Sequence, residues 1–183
     1  MRPRSVTPDA MGRGRMHQDV KGPGMARARK SPREKLENPV AGLPKVVAVP
    51  DKWVKMMGGR RILVPTPMMV DDYVRTIPKG KLVTVGQIRR QLAEPFKADS
   101  TCPMTMGIFL RIISEAAEEA RQAGSKTVTP WWRVVKDNGS LNPKFPGGVK
   151  AHAEKLRQED HAISRGKGTK PPHVADFEAS LAS

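Results

Sequence analysis

The chain has little of several things, and each shortage excludes something. It has one cysteine, Cys102, in 183 residues, which rules out an internal disulfide and a multi-cysteine zinc site and fits a reducing, cytoplasmic setting. No run of about 18 apolar residues occurs, so no helical membrane span is expected, and the first thirty residues have no apolar segment of the secretory kind. Acidic residues are scarce beside basic ones: 18 Asp and Glu against 33 Lys and Arg, for a net charge of +15. A balance this basic makes a polyanion the leading partner, although charge by itself does not separate nucleic acid from an anionic surface. Aromatic residues are only 4% of the chain, so where they cluster matters. The apolar content of 38% is enough for one core but not two. His152 and His161 have no ligand partners at metal-binding spacing and are expected at the surface; no metal or cofactor is expected.

Residues 1–45 are rich in Arg, Lys, Gly and Pro without apolar periodicity, which predicts a disordered basic arm that neutralises phosphates without reading sequence, or a solvated tail. Met11, Met16 and Met25 are alternative starts to Met1, and with any of them part of the arm is never made. Residues 46–65 read as a lead-in: Val46 to Val49 as a short strand, Trp53 and Val54 as a turn of helix, Gly58-Gly59 as a break, and Ile62 to Val64 as a second apolar run.

Thr66-Pro67 is a helix start, an N-cap residue before proline at the first helical position. Met69, Val70, Tyr73, Val74 and Ile77 then recur at helical steps up to Pro78. Lys79-Gly80-Lys81 makes a basic turn. Thr84 with Gln87 is a capping box opening a second helix through Ile88 and Leu92, with Arg89, Arg90 and Lys97 as phosphate contacts on its exposed side. Pro103 opens the longest helix, to about Ala123, with Met106, Phe109, Ile113 and Ala116 or Ala117 facing the core. Its glutamates 115, 118 and 119 would repel phosphate, so only the part up to Arg111, including Thr105, suits nucleic acid. A short helix, a loop and a longer helix are the parts of a helix-turn-helix. Lys126 to Val135 reads as extended, Asp137-Asn138-Gly139 as a turn, and Val149 to His161 as a final helix. Residues 163–183 read as a mostly polar, frayed tail, with Val174, Phe177 and Leu181 able to dock one short turn.

Two of the three tryptophans stand side by side in Thr129-Pro130-Trp131-Trp132-Arg133-Val134-Val135. This heptad resembles the Pro-Cys-His-Arg-Val signature of the O6-alkylguanine-DNA alkyltransferases. Three further stretches support the resemblance in the right order: Ile77 to Lys81, Thr84 to Ile88, and Pro146-Gly147-Gly148 with Glu159 downstream. It covers roughly residues 66–162. It implies a mainly α fold with a small β component, a winged-helix or helix-turn-helix domain on the DNA minor groove, in which an alkylated guanine is turned out of the stack. Lys79, Lys81, Thr84, Gln87, Arg89, Arg90, Lys97, Thr105 and Arg111 are the candidate DNA contacts.

Carried over residue by residue, the acceptor cysteine falls on Trp131 and the histidine that activates it on Trp132. Indole offers neither a thiolate nor a proton acceptor, so alkyl transfer is not expected. Only the carboxylate of the relay is matched, at Glu159. Tryptophan at the acceptor position resembles the alkyltransferase-like proteins, which bind O6-alkylguanine DNA without repairing it. Their nucleotide-rotating tyrosine falls on Val85, and the arginine that fills the vacated stack on about Met104, an apolar wedge. Trp131, Trp132, Arg133, Val85, Met104 and Glu159 are thus base-pocket candidates. The competing reading makes the tryptophans core and Arg133 a carboxylate holder. The first functional expectation is a monomeric, non-catalytic protein that binds duplex DNA in repair, nucleoid-associated if bacterial, with repair proteins as further partners. A protein-interaction module on a degenerate alkyltransferase fold, or an enzyme using Cys102, are the alternatives.

Overall fold

The computed structural model describes residues 29–166 and 168–182. The expectations for residues 1–28 and the choice among start methionines fall outside the described residues. Residues 29–45 depart from the unstructured arm that composition suggests. Ser31 forms a capping box with Glu34 and opens α1 (Pro32–Glu37). Its Leu36 is buried in the main core, and one apolar side chain on a well-capped turn suffices to dock a segment rich in charge.

The lead-in is a strand, helix, strand unit: β1 (Lys45–Ala48), α2 (Asp51–Met57) and β2 (Arg61–Val64). β1 and β2 pair antiparallel, from Lys45 opposite Val64 to Ala48 opposite Arg61. The domain proper follows as α3 (Pro67–Arg75), β3 (Val83–Thr84), α4 (Val85–Ala93), β4 (Ser100–Thr101) and α5 (Pro103–Gln122). A single 3-10 turn (Trp131–Arg133) leads into β5 (Val134–Val135), and α6 (Gly148–Arg157) comes next. The helices begin where the caps predict: Thr66 accepts from the Met69 amide, and Thr84 and Gln87 satisfy each other's backbone donors. The fold is helix-rich with short strands only.

Two short parallel pairings set the layout. β2 runs beside β4, Ile62 opposite Ser100 and Leu63 opposite Thr101, which fastens the lead-in to the connection between α4 and α5. β3 runs beside β5, Val83 opposite Val134 and Thr84 opposite Val135, which fastens the tryptophan heptad to the start of α4.

The main core gathers Val70, Val74, Ile88, Met106, Leu110, Ile113 and Trp131. A second, smaller cluster forms from Leu82, Val135, Leu141, Ala153, Leu156 and Val174, where composition argued for one core. Trp132 packs against both. The second cluster is completed by the segment expected to fray. β6 (Ile163–Ser164) and β7 (His173–Val174) form an antiparallel pair. The Leu82 amide donates to the Ser180 carbonyl, and the Ala182 amide to the Leu82 carbonyl. Val174, Phe177 and Leu181 are the residues that dock. Their wide spacing carries no period, so backbone pairing with Leu82 had no sequence signal.

Arg89, expected to face phosphate, instead ties the lead-in to α4. Its Nε donates to the Thr101 carbonyl at 2.7 Å and a terminal nitrogen to the Met57 carbonyl at 2.5 Å. Burial pulls its pKa down from the ordinary guanidinium value, partly offset by Asp137 and Cys102. Arg89→Ala leaves two carbonyls without their charged donor, and we expect a loss of about 1.5–3 kcal/mol per charge-assisted bond removed at most, read by urea unfolding; Arg90→Ala, exposed on the same helix, should change stability by less than about 0.5 kcal/mol.

Candidate nucleic-acid interface and the tryptophan heptad

The heptad is not the continuous strand that its β-branched end suggests. Pro130 holds φ −79° and ψ 61°, the geometry of an inverse γ-turn, and the Trp131 amide donates back to the Thr129 carbonyl at 2.8 Å. The Arg133 amide then reaches the Pro130 carbonyl at 3.0 Å. This double turn confines the strand to Val134–Val135. The two indoles therefore do not alternate across a sheet but meet edge to face, centroids 5.9 Å apart at 82°.

Trp131 is 1% exposed. Phe145 lies against it edge to face at 5.2 Å and His152 at 5.7 Å, and its Nε1 donates to Glu118 at 3.3 Å. Trp132 is half-buried. Its Nε1 donates to Glu159 at 2.8 Å, and the Lys155 ammonium stands over its ring at 5.2 Å, a cation–π contact. The heptad is anchored at its front by Thr129, whose hydroxyl donates to the buried Asp71 carboxylate at 2.7 Å; Asp71 is also held by Arg75 at 2.7 Å.

Glu159 is the hub. It lies just past α6 and accepts from the Gly80 amide at 3.0 Å, from Trp132, and from Arg133 through Nε at 2.9 Å and a terminal nitrogen at 2.8 Å. The other terminal nitrogen of Arg133 donates to the Ile77 carbonyl at 2.6 Å. One carboxylate thus joins the Ile77-Pro78-Lys79-Gly80 turn, the heptad and the end of α6. Gly80 takes φ 73° there, a left-handed conformation that suits glycine. Burial pushes the Glu159 carboxyl up, but hydrogen bonds from Arg133, Gly80 and Trp132 and the guanidinium charge outweigh it, and it titrates below its usual value.

Both histidines expected at the surface are buried. His152 Nε2 lies 2.8 Å from the Trp132 carbonyl and donates to it, while Nδ1 accepts from the Asn142 amide at 3.2 Å. That pattern fixes a neutral tautomer, and burial lowers its pKa to about 4, the bond to Trp132 opposing. His161 is 8% exposed with Nε2 unpartnered among the described residues, and burial lowers its pKa too. A helical pattern alone did not reveal that α6 turns His152 inward beneath the heptad. Cys102 is 6% exposed at the start of α5, so its thiol packs rather than presenting a nucleophile at the surface.

Two adjoining clefts flank the tryptophans. One, of about 440 Å³, is lined by Trp131, Glu118, Arg121, Pro146, Glu154 and Lys155. The other, of about 310 Å³, is lined by Trp132, Lys79, Lys126, Arg121, Lys155 and Glu159. Val85 and Met104 line neither of them. Val85 packs on the main core, and Met104 is 61% exposed near the start of α5, so the six base-pocket candidates do not converge on one cavity. Glu118, Arg121 and Lys155 are wall residues that sequence reasoning missed; helical period places Glu118 near, but not on, the core stripe.

Of the candidate DNA contacts, Thr84 and Gln87 are occupied by their reciprocal cap and Arg89 by two carbonyls. The Thr105 hydroxyl donates to the Cys102 carbonyl at 3.2 Å, and Arg111 pairs with Glu115 at 2.7 Å on the surface. Lys79, Lys81, Arg90 and Lys97 are exposed. Along α5, Met104, Gly107, Ile108 and Arg111 form one exposed face, apolar except at its end.

Two pH windows follow. An unfolded histidine titrates near 6.5 and His152 near 4, so the unfolded chain takes up the extra proton and stability is lost as pH falls from about 6.5 towards 4, by about 3 kcal/mol in all; chemical denaturation of His152→Gln across this range should lose that slope. Glu159 acts lower. Its contribution is complete above the ordinary carboxylate value and disappears as pH drops through its depressed one. Glu159→Gln strands the Arg133 charge in a buried site and should cost about 3–5 kcal/mol at pH 7, with a flatter acid limb below about pH 4.

No curated protein matches the chain. Among solved structures, Schizosaccharomyces pombe Atl1 in complex with damaged DNA containing O6-carboxymethylguanine is similar at 19% identity and TM-score 0.46, covering 64% of this chain and 94% of that one. S. pombe ATL in complex with DNA is similar at 20% identity and TM-score 0.44 over the same shares. The family model described as the 6-O-methylguanine DNA methyltransferase DNA-binding domain matches residues 66–161, just over half of the chain, and the chain therefore belongs to that family.

Proposed function

We propose that this protein binds duplex DNA through a helix-turn-helix made by α4 and α5, reads alkylated guanine, and transfers no alkyl group. The observation that carries the reading is Trp131: the position of the family's acceptor cysteine holds a buried indole hydrogen-bonded to Glu118, inside a domain whose scaffold is kept. A buried indole supplies no lone pair or thiolate for displacement at the alkyl carbon. The neighbouring Trp132, in the histidine's place, donates to Glu159 and cannot act as a base.

The exposed face of α5 supports the DNA contact. Met104, Gly107 and Ile108 are exposed side by side on it, and apolar wedges of this kind enter minor grooves and part base steps. Exposed Lys79, Lys81, Arg90 and Lys97 supply phosphate contacts whose strength falls with salt. The clefts beside Trp131 and Trp132 are the receiving site for an extruded base, with the half-buried Trp132 ring as the aromatic wall.

Fluorescence anisotropy on matched duplexes carrying guanine or O6-methylguanine tests this. We expect salt-sensitive binding to both and at least several-fold tighter binding to the lesion, with no radiolabel on the protein after incubation with [methyl-labelled] O6-methylguanine DNA. Equal affinities remove lesion reading, labelled protein removes the non-catalytic assignment, and no binding at low salt removes the proposal.

A further inference from the structure

The family match begins at residue 66, so β1, α2 and β2 are an addition to the matched domain. This unit is built unlike the rest of the fold: α2 has no buried residue at all, and Trp53 and Met56 on it are 43% and 51% exposed. A helix that buries nothing contributes little to folding through packing. Yet it is held firmly in place. Gly58 ends it in a left-handed cap, φ 85°, and Arg89 of α4 grips the Met57 carbonyl. Gly59 comes so near Asp99 that a Cβ on it would meet the Asp99 Cβ at 2.1 Å. The Asp99 carboxylate accepts from the Arg60 and Arg61 amides at 2.7 and 2.9 Å, and those two bonds hold its pKa below the usual range. The partners of this unit are Arg89 on α4 and Asp99 on the connection between α4 and α5.

The unit's charge says what would lie on it. Residues 45–64 carry five basic side chains, Lys45, Lys52, Lys55, Arg60 and Arg61, and one acid, Asp51, which is paired with Arg60. Lys52 also stands 5.7 Å from the Trp53 ring. Arg90 and Lys97, on α4 and the turn after it, are exposed as well, with the acid Glu94 between them in the chain.

We infer that α2 is a second DNA-contacting element, in which Lys52 and Lys55 bind backbone phosphates flanking the site read by α5 while Trp53 and Met56 pack on the sugars between them. The inference rests on the DNA-binding reading above, and the occupant is fixed by charge complementarity and by continuity with the α4–α5 connection. Its consequence is a footprint longer than the matched domain alone makes.

The test is a salt titration of full-length protein on a labelled duplex of about 24 base pairs, for wild type, Lys52→Ala/Lys55→Ala and Trp53→Ala. These side chains are not buried, and circular dichroism verifies that each variant is folded. Each phosphate contact contributes about 0.9 to the slope of log affinity against log salt, so the double lysine variant should lose about 1.8 from the slope, and on the order of tenfold in affinity near 0.1 M salt. Trp53→Ala should weaken binding several-fold with the slope unchanged, because it removes contact area and no charge. Removing Lys144 and Lys150, outside this patch, should alter the slope much less. A wild-type slope and affinity in the double lysine variant overturn the inference while leaving DNA binding intact. Failure of the wild-type protein to bind at low salt overturns both readings.

Discussion

The Glu159 carboxylate and the Arg133 guanidinium form the contact on which the heptad's position depends. Two charges taken from water lose their hydration unless other hydrogen bonds replace it, and here several do: Glu159 takes bonds from a backbone amide, an indole and the guanidinium, and the far nitrogen of Arg133 donates to the Ile77 carbonyl. The partners come from three separate places in the chain. The cluster therefore fixes how the turn after α3, the double turn at Pro130 and the end of α6 sit together, and with them the two clefts. Every bond that the Glu159 carboxylate makes is to a group that holds structure.

Around that cluster the packing is aromatic. Trp131, Phe145 and His152 lie mutually edge to face or tilted, and a neutral imidazole fits among them because both ring nitrogens are bonded. Trp132 bridges the two clusters of the core, which makes a small domain with a divided interior behave as one packed body. The charges beside this aromatic packing are paired: Glu159 with Arg133 on one side, and the buried Asp71 with Arg75 and Thr129 on the other.

Much of the framework was legible in the sequence because local rules governed it. The caps at Thr66 and Thr84, the stripe along α5 and the breaks at glycine and proline are short-range signals, and the structure places helices where they point. The heptad's order relative to Ile77 to Lys81 and to Glu159 identified the family. What could not be read was decided by contacts distant in sequence. Arg89 turned inward because two carbonyls from other elements needed a donor. The segment after residue 163 docked because Leu82 offered an unpaired backbone edge. His152 and His161 carry the same letters as surface histidines; the direction of α6 buries the first, and the turn after its end folds the second back towards Leu156. The bend at Pro130 was foreshadowed by the proline, but the β-branched pair after it argued for a longer strand than the ring geometry allows.

The depth of Trp131 limits how freely the position can change. An indole that is 1% exposed fills a volume several times that of a thiol, and exchanging a large buried aromatic for a small side chain leaves a cavity costing about 3–5 kcal/mol, a large fraction of the stability of an ordinary domain. Phe145, His152 and Glu118 are arranged around the larger ring and would all have to move before a smaller residue packed as well. Placing a small side chain at this position is therefore not one substitution but a concerted set. The position can change only together with its neighbours, and packing alone imposes that limit.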